Sequence, residues 1–166
     1  MSKAFTRESD SEPNDDPVPR RRLPAGINNL ITATGAQRYR DELAALLERK
    51  QSADSASEES KTTQSRIRQL QAILGSITVA TPPLDQTAAG FGATVRVRYT
   101  SREEAVFQIV GIDESDPEHD KISWQSPLAR ELIGRRAGDK FRFRAPAGEQ
   151  ELEILAVSYS VAAPIH

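Results

Sequence analysis

Two amphipathic runs open the foldable part of this chain. Between about Ala33 and Lys50 the residues Tyr39, Leu43, Leu46 and Leu47 recur at spacings of three and four, which places one apolar stripe on one face of a helix. Ile31 followed by Thr32 and Thr34 supplies an apolar residue and two N-cap candidates just ahead of that run. A second stripe follows in Ile67, Leu70, Ile73 and Leu74, with Arg66, Arg68, Gln69 and Gln71 left for solvent. The two stripes predict an antiparallel helical hairpin, a short coiled coil. Gln51 to Ser65 between them is rich in Ser and Thr and almost devoid of large apolar residues, so it predicts a mobile tip, or the frayed last turns of both helices, with little packing.

From Phe91 onward the period changes to two. Val95, Val97 and Tyr99 alternate with Arg96 and Arg98; Phe141 and Phe143 alternate with Arg142 and Arg144; Leu152 and Ile154 alternate with Glu151 and Glu153. These patterns predict half-buried antiparallel strands. Ser126 before Pro127, the apolar set Leu128, Leu132 and Ile133, and Gly134 after the last turn predict one short helix. A helix on one face of a curved antiparallel sheet makes an α+β domain. The expected organisation is a tail over 1–29, a hairpin over 30–76, a linker with Pro82 and Pro83 over 77–90, the α+β domain over 91–161 and a short tail over 162–166.

Composition narrows the function classes. The first 26 residues combine Glu8, Asp10, Glu12, Asp15 and Asp16 with four prolines and no periodicity, the signature of a disordered tail. Arg20, Arg21 and Arg22 read as a solvated patch or as a contact for an acidic partner. With no cysteine in 166 residues, disulfides and thiolate metal sites are excluded, which suits a reducing cytoplasm. No signal peptide or long apolar run is present, so the expectation is a cytoplasmic monomer away from the membrane. A net charge of −2 lacks the basic excess of a general nucleic-acid binder.

Several blocks carry a resemblance. FGATVRV (Phe91 to Val97), FQIVGIDESDP (Phe107 to Pro117), ISWQSPLARELIG (Ile122 to Gly134), AGDKF and PAGE stand in the order found in the C-terminal domain of Gre-family (GreA/GreB) transcription elongation factors, and ITATGAQRYRDEL (Ile31 to Leu43) resembles that family's opening helix. The start, MSKAFTRESD with RRRLPAG after the acidic run, leans toward a GreB-like branch. The resemblance implies an FKBP-like second domain that docks on bacterial RNA polymerase core beside its secondary channel, while the hairpin reaches toward the polymerase active site. It implies a non-enzymatic factor that regulates transcription elongation, DNA binding at the level of the family, and polymerase contacts at Trp124, Gln125, Ser126, Pro127 and Arg130. Nascent RNA would lie near the hairpin's Arg38, Arg49, Lys50, Arg66 and Arg68, although Asp41, Glu42 and Glu48 interleave with them.

The family's cleavage chemistry rests on tip carboxylates, written Gly-Asp, two residues, then Glu-Asn, which help the polymerase hold a second magnesium ion. No such string exists here, and the nearest acids are Asp54, Glu58 and Glu59 in ADSASEES. The arms are also shorter than the family's by about ten residues each, a loss of reach of roughly 15 Å. The expectation is a channel-docking factor that is poor or inactive in transcript cleavage, with no cofactor of its own, acting as modulator or competitor. The alternatives are a true cleavage factor using Asp54, Glu58 or Glu59, with magnesium supplied through the polymerase, and more remotely an FKBP-like prolyl isomerase. His119 and His166 are too few for a zinc site; Ser126 reads as a cap rather than a nucleophile; Trp124 is either an interface anchor or core. Arg96, Arg98, Arg142 and Arg144 form a basic patch only if their strands are neighbours.

Overall fold

The computed structural model describes residues 26–52 and 57–160; the acidic tail, Arg20 to Arg22 and Asp54 lie outside them. Helices α1 (Ala33–Ser52) and α2 (Glu58–Ser76) form the predicted antiparallel hairpin. Each has its own cap: Thr32 Oγ1 accepts the Gly35 N–H at 3.0 Å, and Ser57 Oγ accepts the Ser60 N–H at 3.2 Å. The seam is asymmetric. On α2, Ile67, Leu70 and Ile73 are buried, whereas α1 offers half-buried Leu43 and Leu46 and leaves Leu47 exposed. Arg66 crosses to Glu42 in a two-pronged pair, Nε to Oε1 at 2.6 Å and Nη2 to Oε2 at 2.9 Å, and fixes the register of the two helices.

Two three-residue strands that no sequence period announced close the hairpin's base. β1 (Asn29–Ile31) enters α1, β2 (Ile77–Val79) leaves α2, and the two pair in parallel, Asn29 opposite Ile77 and Ile31 opposite Val79. An antiparallel hairpin returns the chain to its starting end, which brings the segment before the first helix beside the segment after the second.

The second domain holds β3 (Ala93–Tyr99), β4 (Glu104–Val110), β5 (Lys121–Ser123), α3 (Pro127–Leu132), β6 (Lys140–Ala145) and β7 (Gly148–Tyr159), with sheet order β5-β4-β3-β7-β6. The expectation of a wholly antiparallel sheet needs correction: β5 is parallel to β4, with Ile109 opposite Ile122. Two short 3-10 turns, Ile112–Glu114 and Pro117–His119, carry the chain back along β4 before it re-enters the sheet. The core gathers Val95, Val97, Ile109, Ala129, Leu132, Phe141, Leu152 and Ile154, the inward parity of the alternating runs together with the apolar side of α3. A bulge between Arg96 and Val97, opposite Leu155, bends β3 and β7 and so curls the sheet. Tyr99, Phe107, Phe143 and Tyr159 pack onto this core, which leaves these four as packing groups rather than the lining of an isomerase cleft.

Candidate functional site

The turn after β5 and the start of α3 present the residues singled out for polymerase contact. Ser126 Oγ accepts the Ala129 N–H at 3.1 Å with Pro127 at the first helical position, so Ser126 is the cap that the Ser-Pro pair implied. Ser123 Oγ accepts the Gln125 N–H at 3.2 Å and the Trp124 N–H bonds the Val110 carbonyl at 2.9 Å, which holds this turn against β4. Trp124 is half-buried and packs against the core, yet its indole Nε1 is buried and meets no acceptor among the described residues. Both readings of Trp124 therefore have a physical basis: its ring packs, and its N–H is left over. Pro127 and Arg130 stand exposed on the same short helix, beside the exposed Ile133.

At the free end of the hairpin, Glu58 and Glu59 lie in the first turn of α2, where carboxylates complement the helix dipole. Glu58 pairs with Lys61 Nζ at 2.6 Å and Glu59 with Arg49 Nη2 at 3.3 Å, all four side chains largely exposed. Among the described residues no group of three or more His, Asp or Glu is placed to hold a metal ion. His119 is exposed and bonds the Asp116 carboxylate at 2.6 Å, which holds that carboxyl below its ordinary range.

Of the four arginines of the sheet, three pair with acids and Arg144 stands opposite Glu149 in register, so no purely basic patch forms. β7 separates β3 from β6, and its acids neutralise both sides: Arg98 pairs with Glu153 at 2.8 Å and Arg142 with Glu151 at 3.9 Å, while Arg96 pairs with Glu104 of β4 at 2.7 Å. Hydrogen bonding from Arg98 holds the Glu153 carboxyl low. The result is a face of alternating sign, favourable for solubility and unsuited to tracking a polyanion.

A third cluster escaped the sequence reading. Where the hairpin meets the sheet, Asp113 and Glu114 point back at the start of α1. Glu114 Oε2 accepts the Thr32 N–H at 2.9 Å and the Gly111 N–H at 3.0 Å, and Oε1 accepts the Thr32 hydroxyl. Asn29 Nδ2 donates to Asp113 Oδ2 at 2.9 Å, and the Tyr39 hydroxyl donates to the Asp113 carbonyl at 2.5 Å. Tyr39, counted with the hairpin stripe, thus belongs in part to the interdomain joint. Burial, then the charges of Asp113 and Glu114, push its phenol up. The signal for this cluster was a glycine at the third position of a helix, where glycine is a poor choice unless space is needed.

Comparison with known proteins gives this geometry a family. Residues 84–159 match the family model described as transcription elongation factor, GreA/GreB, C-term. The transcription elongation factor GreA of Halorhodospira halophila is 34% identical over 152 residues, covering 78% of this chain and 96% of that protein. GreA of Nitratiruptor sp. is 41% identical and GreB of Neisseria meningitidis serogroup B 45% identical, each over 96 residues, and the chain spans 59% of the length of either. A solved GreA/GreB factor from Nitrosomonas europaea is 25% identical, covers 80% of this chain and all of that one, and superposes with a TM-score of 0.42. GreA and GreB names both occur among these relatives. From the second-domain match and the near full-length likeness to a GreA, the chain belongs to the GreA/GreB family of transcription elongation factors.

Proposed function

We propose that this chain is a non-enzymatic regulator that binds bacterial RNA polymerase through its second domain at the secondary channel, and that it modulates or competes there without stimulating transcript cleavage. The observation that carries the reading is the state of the hairpin end. Glu58 and Glu59 pair at the surface with Lys61 and Arg49 on the flanks of a hairpin whose helices are 20 and 19 residues long. That is about 30 Å of helix, some 15 Å less reach than the family's longer arms would give. Positioning in catalysis fails with errors of about an ångström, so a deficit of this size removes a carboxylate from any metal's first shell. The composition of the N-terminal segment supports placing the chain toward the GreB-like side of the family.

Docking, by contrast, retains its parts: a capped Ser-Pro helix, a half-buried Trp124 with a spare donor, and exposed Pro127 and Arg130. Aromatic and arginine side chains of this kind serve as interface anchors. Two proteins that share one dock exclude each other by mass action, so occupancy alone alters traffic through the channel. The test is a backtracked elongation complex of the cognate polymerase, with cleavage and binding measured on the same preparation. The expected result is binding, displacement of a cleavage-competent factor and no acceleration. Acceleration by the wild-type chain that disappears when Asp54, Glu58 and Glu59 are all changed to alanine would overturn the reading.

A further inference from the structure

We infer that Glu114 is a positioning residue that completes the cap of α1 from the other domain, and that Gly35 is its receptor, so that this one carboxylate sets the direction in which the hairpin points. In an ordinary capping box the N-cap hydroxyl takes the N–H of the third helical residue, and a Glu at that third position reaches back to the N-cap N–H. Here Thr32 performs the first half by accepting the Gly35 N–H. The third residue, however, is Gly35 itself and has no side chain to return. Glu114, 82 residues further along, accepts the Thr32 N–H and the Thr32 hydroxyl in its place.

The glycine is there for space. Gly35 sits in a helix with ordinary backbone angles, and the three atoms nearest a Cβ added at that position all belong to the Glu114 side chain, which would have to leave. Gly111 makes the complementary approach from the second domain. A Cβ there would run into the Leu30 carbonyl oxygen of β1, and its N–H is held by the same Glu114 oxygen that holds Thr32. One carboxylate thus ties β1, the start of α1 and the end of β4 together, and Asn29 to Asp113 and Tyr39 to the Asp113 carbonyl flank it. When the hairpin swings away, α1 loses half of its cap and the Thr32 N–H loses its partner, so orientation and helix stability are coupled.

The consequence for reach into a polymerase channel rests on the function proposed above; the latch itself does not, and its test uses the free full-length chain. Because the protein has no cysteine, spin labels can be placed singly at Gln51→Cys on the hairpin and Glu149→Cys on the β6–β7 turn, with distances read by pulsed electron resonance. The wild-type chain is expected to give one narrow distribution. E114A and G35A should each broaden it, while E114Q keeps it narrow, since an amide oxygen still accepts both N–H groups. Melting supplies a second readout. G35A should lower Tm by about 4 °C in the native background but raise it in the E114A background, where alanine's better helix propensity is no longer opposed. Fluorescence of the sole tryptophan, Trp124, reports that the second domain has folded in each variant. If G35A with native Trp124 emission keeps the narrow distribution, or lowers Tm equally in both backgrounds, the inference is wrong.

Discussion

Trp124 carries a donor that meets no acceptor among the described residues. Its Nε1 is buried and its ring packs on the core. Replacing Trp124 by Phe keeps most of the ring's packing and abandons no hydrogen bond to a described residue, so the cost in stability should stay within about 1.5 kcal/mol. If the indole N–H is satisfied on docking, polymerase affinity should fall about tenfold, equivalent to roughly 1.4 kcal/mol. Denaturant unfolding and a binding titration on the same variant separate the two effects, and an unchanged affinity would remove Trp124 from the interface. At this scale, what the sequence revealed was local chemistry. Ser126 and Pro127 announced a helix start because cap and helix are adjacent in the chain. Glu114 and Gly35 announced nothing together, because their relation exists only after 82 residues of chain have folded between Thr32 and Glu114.

Among elements, the hairpin shows how far periodicity can be trusted. Two stripes foretold two packed helices; α1 formed close to its expected bounds, but α2 begins at Glu58, inside the stretch to Ser65 expected to be tip or frayed turns, because Ser57 caps it and Glu58 and Glu59 suit a first turn. What the stripes could not show was their unequal burial. Leu70 of α2 is fully buried, while Leu47 near the free end of α1 remains 38% exposed. Leu70→Ala should therefore cost about 2–5 kcal/mol and Leu47→Ala well under half as much. Urea unfolding followed by helical circular dichroism checks the pair, and equal losses would mean that the hairpin packs differently. The parallel pairings of β1 with β2 and of β4 with β5 were beyond the same method. Strands of three residues are too short to display a period of two, and their direction follows from connections that the pattern does not describe.

Over the whole molecule, all three tyrosines are tied into burial that disfavours their ionised form. For Tyr39 the chief cause is burial, followed by Asp113 and Glu114; for Tyr99 it is burial, then Glu103 and Asp120; for Tyr159 it is burial, then Asp85, and its hydroxyl donates to the Ala88 carbonyl at 2.7 Å. Each phenol is thus pushed above its ordinary value in the folded chain. Unfolded phenols release their protons near pH ~10, so above that value the unfolded state holds fewer protons than the folded one and stability falls as pH rises. The tyrosine contribution is fully present below about pH 10 and is lost progressively up to the raised folded values. Tyr39→Phe should be less stable near neutrality by about 1 kcal/mol, through loss of the bond to the Asp113 carbonyl, and should show a shallower alkaline decline because one of the three groups can no longer ionise. Urea midpoints taken from about pH 8 to 11 test both halves of this statement. An alkaline decline as steep in Tyr39→Phe as in the wild-type chain would place the pH sensitivity away from the hairpin joint.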